Sequence, residues 1–384
     1  MRDTHRSFFR FVLPVAVVVT ILVAAAPLNA QAVLKVNDTV NFKFGMLLQA
    51  WADWQELSDA NGNTAGYQQN LFIRRARFLF AGQLTKDVSF FLDTENANLG
   101  KNPKNTTGTQ LGTGFQLLDF YGEWKIATEF QLQGGLILIP LCRNCNESAA
   151  SQLTLDYGSF SFQESAVTGS TIGRDTGFQV KGYLLDGRLE YRAGAYQGTR
   201  QTGSKNPFRF TGRLAYNFLD KEQVQFYPGT YLAAKKVLAL GASYDTQGGG
   251  TVISGEKKSY RAYAFDGFLN LPFGKDALTA EVDYIHYDGG TTFTTLYKQN
   301  TFLAQAGWYF SGPKLMPFFR YEEATFSDDI RKVGNQRNIQ AGLTYYAFGQ
   351  NYKITGAWTR RQRPDDPKTA TTSEFTIQMQ VFYF

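Results

Sequence analysis

Apolar and polar residues alternate in short segments along most of this chain, from Thr39 to the terminal Phe384. In the first segment the apolar positions are Val40, Phe42, Phe44, Met46 and Leu48. Successive side chains of a β-strand point to opposite faces, so this period of two predicts strands with one apolar and one polar face. About sixteen such segments predict an all-β fold, a transmembrane antiparallel up-and-down β-barrel with lipid outside and water inside.

The second segment, 71–84, places Arg75 and Arg77 on the polar inner face. Its predicted lipid-facing residues are Phe72, Ala76, Phe78, Phe80 and Leu84. The same alternation puts Arg74 on the lipid side, which a charge disfavours. Either this end of the strand lies at the lipid headgroups or against a neighbouring subunit, or the register is wrong by one residue.

The links between segments support a barrel independently, because tight turns alternate with long polar loops. The predicted turns are 85–87, 127–128, 186–187, 272–276, 312–314 and 349–350, and the predicted long loops are 55–70, 99–114, 140–175, 198–207, 246–259, 288–300, 327–336 and 362–373. The link 219–236 falls where a turn is expected but is long, and we predict a short helix there. A secreted β-sandwich or propeller would not explain this rhythm.

The last segment ends the chain with an apolar set that is out of step with the terminal residue. Its apolar positions are Phe375, Ile377, Met379, Val381 and Tyr383. Phe384 falls one position further, on the opposite face. We expect a β-bulge or a slipped final pair to reconcile the two.

Residues 1–32 have the pattern of a secretory signal peptide. Arg2, Arg6 and Arg10 give a basic start, an apolar run follows over 11–26, and small residues around Ala30 and Ala32 suit cleavage after Ala32. A retained membrane anchor is the alternative, but the run is short for a span. The predicted organisation is therefore a signal peptide at 1–32 and one barrel domain at 33–384.

The charge balance after the leader is mildly basic. The leader holds three basic residues and one acidic residue, so its removal lowers the formal charge from +6 to +4. This excess is too weak and scattered to indicate nucleic-acid binding, but it suits a preference for anions. Phe and Tyr dominate the 15% aromatic content, and such rings are typical of membrane interfaces.

Two cysteines, Cys142 and Cys145, lie close together in the longest link. In an exported chain this spacing favours a local disulfide. A zinc site needs about four ligands, and after the leader the sequence offers no third cysteine and only one histidine, His286. A redox pair is also disfavoured because no βαβ pattern surrounds the motif. We expect no metal and no cofactor.

Enzyme activity is not expected from this sequence. Histidine-based hydrolysis needs a placed general base, and His286 falls on the apolar face of a predicted strand beside Tyr284. An interfacial position explains it better than catalysis.

Several stretches, in order, resemble the phosphate-selective porin family (porins O and P). They are LFIRRARFLFAG at 71–82, FFLD at 90–93, LLDFY at 117–121, GLILIP at 135–140 and GRDTG at 173–177. The resemblance covers nearly all of the chain after the leader. It implies a trimeric sixteen-stranded porin of the bacterial outer membrane, whose third loop, 140–175, folds into the lumen and narrows it.

In such porins, inward basic residues guide anions through the constriction. The positions that match this role are Arg75, Arg77, Lys125, Arg143, Arg174, Lys181, Arg188, Arg192, Arg209 and Arg213. The resemblance thus implies passive diffusion of small hydrophilic solutes, anions such as phosphate among them.

Acidic residues argue for a mixed rather than a purely basic interior. Predicted inner faces carry Asp93, Glu95, Asp119, Glu123, Glu190, Glu281, Asp283 and Glu322. A phosphate filter requires basic contacts that replace the hydration shell of the dianion. A general non-selective porin and a plugged structural barrel therefore remain as alternatives.

Overall fold

The computed structural model describes residues 32–59, 63–102, 112, 114–170, 172–200, 205–249, 258–366, 369 and 371–384. Apart from Ala32, the predicted signal peptide lies outside the described residues. The strands are β1 (Ala32–Lys35), β2 (Asn41–Ser58), β3 (Thr64–Gln83), β4 (Val88–Leu99), β5 (Gln116–Lys125), β6 (Gln131–Leu138), β7 (Arg174–Leu184), β8 (Leu189–Tyr196), β9 (Arg209–Asn217), β10 (Val237–Gln247), β11 (Tyr260–Phe273), β12 (Asp276–Asp288), β13 (Gln299–Tyr309), β14 (Leu315–Phe326), β15 (Gln336–Phe348), β16 (Tyr352–Gln362) and β17 (Thr372–Tyr383).

The sheet closes on itself. Each strand from β2 to β17 pairs antiparallel with the next along the chain, and β17 returns to pair with β2. The short β1 pairs with the first residues of β2 and adds no member to the ring. The predicted closed barrel of sixteen antiparallel strands is confirmed.

The two faces of the barrel have opposite chemistry. Large apolar side chains are exposed on the outer face of nearly every strand, including Phe44, Phe78, Phe120, Trp124, Phe178, Phe210, Leu240, Phe265, Val282, Phe319 and Trp358. The residues between them point inward and are mostly polar and buried. The period of two in the sequence is the cause, because it sends apolar side chains to one face only.

Long and short connections alternate around the barrel. The turn end carries the short ones (84–87, 126–130, 185–188, 274–275, 310–314 and 349–351), and the opposite end is the loop end. The loop predicted at 55–70 is shorter than expected, because β2 and β3 extend for 18 and 20 residues and leave only 59–63 between them.

Two connections are long, and the first of them is mostly buried. Loop A, residues 139–173, joins β6 to β7, and loop B, residues 218–236, joins β9 to β10. Loop A holds a 3-10 helix, Asn144–Asn146, and a helical turn α1, Ser165–Thr168; a second 3-10 helix, Asp329–Gly334, lies between β14 and β15. Loop B contains no helix, so the helix predicted there is wrong. Within the described residues, no helix has the length and apolar character to cross a membrane.

A β-bulge corrects the predicted register of β3. Gln49 pairs with Arg75 and the next residue of β2, Ala50, pairs with Ile73, which leaves Arg74 as the extra residue. The extra residue exchanges the inner and outer faces of the strand for the residues beyond it. Phe72, predicted to face lipid, is therefore buried inside, and Arg74, predicted to lie outside, contacts loop A.

The end of the chain needs no bulge. β17 pairs in regular register with both β16 and β2, so the predicted irregularity is wrong. Phe384 simply continues the inner face and packs against Phe91, with 5.9 Å between ring centroids.

Candidate functional site

Loop A is tied to the inner face of the barrel on several sides. Inner-face side chains of β2, β17 and β16 donate to its carbonyl oxygens: Gln49 to Ala149 (3.0 Å), Gln380 to Ala150 (2.8 Å) and Lys353 to Gln152 (3.3 Å). The Ser159 amide donates to Glu322 on β14 (2.6 Å), and the Asn144 amide donates to Asp283 on β12 (3.2 Å). Contacts with five separate strands fix the position of the loop.

Arg74 and Arg75, adjacent at the bulge, both bind Asp156 of loop A. Arg74 Nε lies 2.8 Å from Asp156 Oδ2, and Arg75 Nη2 donates to Oδ1. Arg75 also donates to Gln49 (2.8 Å) and lies 3.6 Å from Glu95. Burial opposes the charge of Asp156, but the two guanidinium groups outweigh it and hold the pKa of that carboxyl well below its usual range. Arg75 is therefore an anchor for the loop.

Loop B pairs with loop A. The Tyr227 amide donates to Asn146 O and the Ser148 amide donates to Tyr227 O, and both distances are 2.9 Å. Arg143 of loop A makes a bidentate pair with Glu222 of loop B, with both distances 2.8 Å and both side chains buried. Burial opposes the charge of Glu222, yet Arg143 lowers the pKa of this carboxyl.

The inner wall of β7 and β8 holds the other side of loop B. Arg192 donates to the carbonyl oxygens of Val224 and Gln225, and both distances are 3.0 Å. Lys181 Nζ donates to Gln225 Oε1 (2.6 Å), and the Tyr227 hydroxyl donates to Glu190 Oε1 (2.5 Å). Loop B therefore fills the space between loop A and this wall.

Two cavities lie beside loop A, and Tyr157 lines both. The loop-end cavity has a volume of about 320 Å³, and the turn-end cavity about 100 Å³. The Tyr157 hydroxyl donates to Glu147 O (2.9 Å), and the Arg75 guanidinium lies 5.1 Å from its ring centroid. The Tyr157 side chain, which lines both cavities, is therefore held at its hydroxyl and at its ring.

Of the predicted basic residues, Arg77 and Arg174 line the turn-end cavity. Arg77 lies 2.8 Å from Glu95 and 3.4 Å from Asp93, and Arg174 lies 2.9 Å from Asp119. Each has an acidic partner, so this wall presents alternating charges rather than a basic surface.

The predicted residues Arg192, Arg209 and Arg213 are buried in ion pairs away from both cavities. Arg192 pairs with Glu190 at 2.7 Å, Arg209 pairs with Asp245, and Arg213 pairs with Asp266 at 2.5 Å. Their position on the inner face follows the predicted alternation.

Lys125 and Lys181 line a third cavity, of about 210 Å³, at the turn end. Lys181 lies 2.7 Å from Glu123. Arg188, predicted to line a pore, lies instead in the turn 185–188 and donates to the carbonyl oxygens of 217–219. The chain turns there before β8 begins, so Arg188 is no longer on the inner face of a strand.

Among the residues that line the loop-end cavity, Lys101, Tyr157, Arg320 and Arg361 are not predicted as site residues. Arg320 and Arg361 lie at inner-face positions of β14 and β16, so strict alternation along those strands could have found them. Tyr157 lies in a loop without periodicity, and no sequence signal marked it.

Three buried carboxyl groups lie close together where loop A contacts β12: Glu147 of loop A, and Glu281 and Asp283 of β12. Each keeps one oxygen without a hydrogen-bond partner among the described residues. Burial, together with the two neighbouring carboxyls, raises the pKa of Glu147 well above its usual range. Burial also raises the pKa of Glu164, elsewhere in loop A, to about 7.

Cys142 and Cys145 are joined by a disulfide, buried within loop A. His286 lies on the outer face of β12, stacked on Tyr263 at 4.8 Å, with Nδ1 2.7 Å from Asn300 Oδ1. Over the ranges that the structure describes, no group of three or more His, Cys, Asp or Glu residues is arranged to hold a metal ion.

No protein-family model and no curated sequence matches this chain. Solved structures share its fold. The outer membrane channel DcaP of Acinetobacter baumannii is 10% identical, with 91% of this chain and 99% of that chain covered and a TM-score of 0.60. An anion-selective porin from Comamonas acidovorans is 12% identical, with 90% and 100% covered and a TM-score of 0.59.

A trimer form of OmpT, an outer membrane protein of Vibrio cholerae, is 10% identical, with 90% and 100% covered and a TM-score of 0.52. At such identities the likeness establishes the fold alone, which is the sixteen-stranded barrel of porins. The narrower resemblance to phosphate-selective porins stays an expectation.

Proposed function

We propose that this protein is a porin of the bacterial outer membrane, through which small hydrophilic solutes diffuse passively. An apolar outer surface and a polar inner face suit a barrel in lipid, and outer-membrane channels share the fold. The observation that carries the proposal is the pair of cavities that share Tyr157 as a lining residue.

Loop A, in this proposal, lies in the lumen and narrows it, and Tyr157 forms the narrowest point. Loop B closes the side of the lumen next to β7 and β8. Solutes then pass along the remaining side, from the loop-end cavity past Tyr157 to the turn-end cavity.

The proposed solutes are small anions, phosphate among them. Among the described residues, four basic side chains (Arg74, Lys101, Arg320 and Arg361) and three acidic ones (Asp156, Glu322 and Glu374) line the loop-end cavity. In the turn-end cavity, Arg77 and Arg174 face Asp93 and Glu147, and the raised pKa of Glu147 favours its neutral form. A small excess of positive charge along the path would attract anions.

The ion pairs also support a general non-selective porin as the alternative, because they neutralise most of this charge. A plugged barrel is a further alternative, favoured by one observation: most residues of loop A are buried.

The proposed assembly is a homotrimer, in line with the trimer form of a structural neighbour. Strands β5 to β9 are only 8–11 residues long, against 18 and 20 for β2 and β3. A short wall that exposes large aromatic side chains would suit a surface shared between subunits.

Single-channel recording in a planar bilayer tests the channel proposal. The purified protein is expected to conduct in KCl, and Tyr157→Ala is expected to conduct more because the narrowest point widens. Tyr345→Ala removes an exposed tyrosine from the outer face of β15 and serves as the matched control. A closed barrel without conductance would overturn the channel and favour the plugged alternative.

The reversal potential of the same channels in a KCl gradient tests the charge preference. The expected sign is that of chloride permeation, and phosphate added at constant chloride should reduce the current. Cation selectivity would contradict the proposed preference. Charge reversal at Arg75 and Arg77 is a poor test, because both groups anchor buried ion pairs.

A further inference from the structure

The loop-end cavity combines charge with apolar surface. Trp51, Leu155, Tyr157, Phe162 and Ile172 contribute its apolar wall. Its volume of about 320 Å³ lies at the lower end of the range of roughly 300–1,000 Å³ that is usual for small-molecule sites. Water alone does not require an apolar wall of this kind, so the cavity has the chemistry of a binding site.

Two of the four basic groups of the cavity are more accessible than the acids that pair with them. The Arg361 side chain is 46% exposed and its partner Glu374 only 6%. Lys101 is 26% exposed, while its partner Asp53, 3.2 Å away, is fully buried. A solute that approaches Arg361 or Lys101 therefore contacts the basic group before its acidic partner.

These basic groups are poorly placed to replace the hydration shell of phosphate. Each is already held by a carboxylate, including Arg74 by Asp156 at 2.8 Å. A dianion needs several free donors that converge on it. A monoanion with its own apolar body needs only one basic group, because burial of that body against the apolar wall supplies the rest of the affinity.

We propose that the loop-end cavity binds organic monocarboxylates that have a flat apolar body, in preference to inorganic phosphate. The proposal rests on the porin function above and names its preferred solutes. The carboxylate binds at Arg361, and the flat body lies against Phe162 and the neighbouring apolar wall of loop A.

Four probes are tested for block of the KCl current. Together they distinguish the charged contact at Arg361 from the apolar contact at Phe162. Benzoate carries both the carboxylate and the flat body, acetate only the carboxylate, benzyl alcohol only the body, and inorganic phosphate a charge without a body. Benzoate is expected to block at a concentration at least about tenfold lower than each of the others, because the two contributions add. Equal block by benzoate and acetate, or stronger block by phosphate, overturns the proposal.

The charged contact is tested by Arg361→Gln. Loss of one charge-assisted hydrogen bond is expected to weaken benzoate block about tenfold and to leave block by benzyl alcohol unchanged. Arg337→Gln is the matched control: Arg337 pairs in register with Gln362 on the adjacent strand, but it binds Glu323 at 3.2 Å, away from the cavity. Arg361→Lys keeps the charge and should restore most of the block.

The apolar contact is tested by Phe162→Leu, which keeps apolar volume but removes the ring. Benzoate block should weaken while acetate block stays the same. Phe160→Leu is the control, because Phe160 is buried in the same loop and lines a different, smaller cavity. Equal benzoate block in the wild type, Phe162→Leu and Arg361→Gln, all with normal KCl conductance, would refute the binding site and leave the porin function standing. Absence of KCl conductance would instead refute the porin itself.

Discussion

At the scale of single residues, we predict that Glu164 makes loop A sensitive to pH. Its carboxyl group is buried, and the charges that face it are Arg209 and Asp245, with Tyr287 as a further hydrogen-bond partner. Burial raises its pKa to about 7, although Arg209 opposes the shift. A raised pKa means that the folded protein prefers the protonated group, so its stabilising effect is complete below the ordinary pKa of roughly 4.3. The effect is lost as the pH rises through about 7.

We therefore predict that loop A becomes less protected from amide hydrogen exchange between pH 5 and pH 8. Glu164→Gln, which stays neutral throughout, should remove most of this dependence once exchange rates are corrected for intrinsic chemistry. Glu129→Gln changes an exposed carboxyl in the turn 126–130 and is the control. An unchanged pH profile in Glu164→Gln would show that another group is responsible.

At the scale of elements, loops A and B form one unit because Arg143 and Glu222 join them in the interior. Arg143 also lies 3.5 Å from the ring centroid of Phe268 on β11, and it donates to Pro228 O at 3.2 Å. Removal of one partner from a buried ion pair leaves the other charge without compensation, which costs about 3–5 kcal/mol. Replacement of both partners by apolar residues of similar volume is often close to neutral.

The resulting prediction concerns a pair of variants. Arg143→Met should raise hydrogen exchange in both loops and produce unsteady single-channel currents, because Glu222 loses its counter-charge. The double variant Arg143→Met with Glu222→Met should largely restore protection. If the double variant is as disturbed as the single one, the ion pair is not what joins the loops.

At the scale of the whole molecule, the barrel wall is uneven, and its short side (β5 to β9) is the proposed contact between subunits. Phe178 on β7 is the most exposed large apolar side chain of that wall, at 68%. We predict that Phe178→Glu converts trimers to monomers, because a carboxylate cannot be buried between subunits without a partner. Native mass spectrometry in detergent measures the assembly.

The control for this variant lies outside the short side of the wall. Phe265 on β11 is also exposed on the outer face, and Phe265→Glu should leave the trimer intact. Heat-modifiable mobility on gels confirms that each barrel still folds. Trimers in both variants would place the interface elsewhere, and monomers in the wild type would rule the assembly out.

The sequence by itself determined the barrel and the direction of most side chains. Alternation depends only on the period of two in a strand, so it correctly placed Arg75, Arg77, Arg192, Arg209 and Arg213 on the inner face. It failed at Phe72 and Arg74, because a bulge inserts one residue and reverses the faces beyond it. The charge of Arg74 on the predicted lipid side indicated a possible register error, but the position of the insertion depends on the pairing with β2.

Only the tertiary structure decided what surrounds the inward charges. Asp156 meets Arg75 across 81 positions of sequence, and Arg143 meets Glu222 across 79. Loops without periodicity make these contacts, so no pattern along the chain predicts them. Closure of the sheet brings the distant strands together, and the cost of leaving a buried charge unpaired then selects the partners.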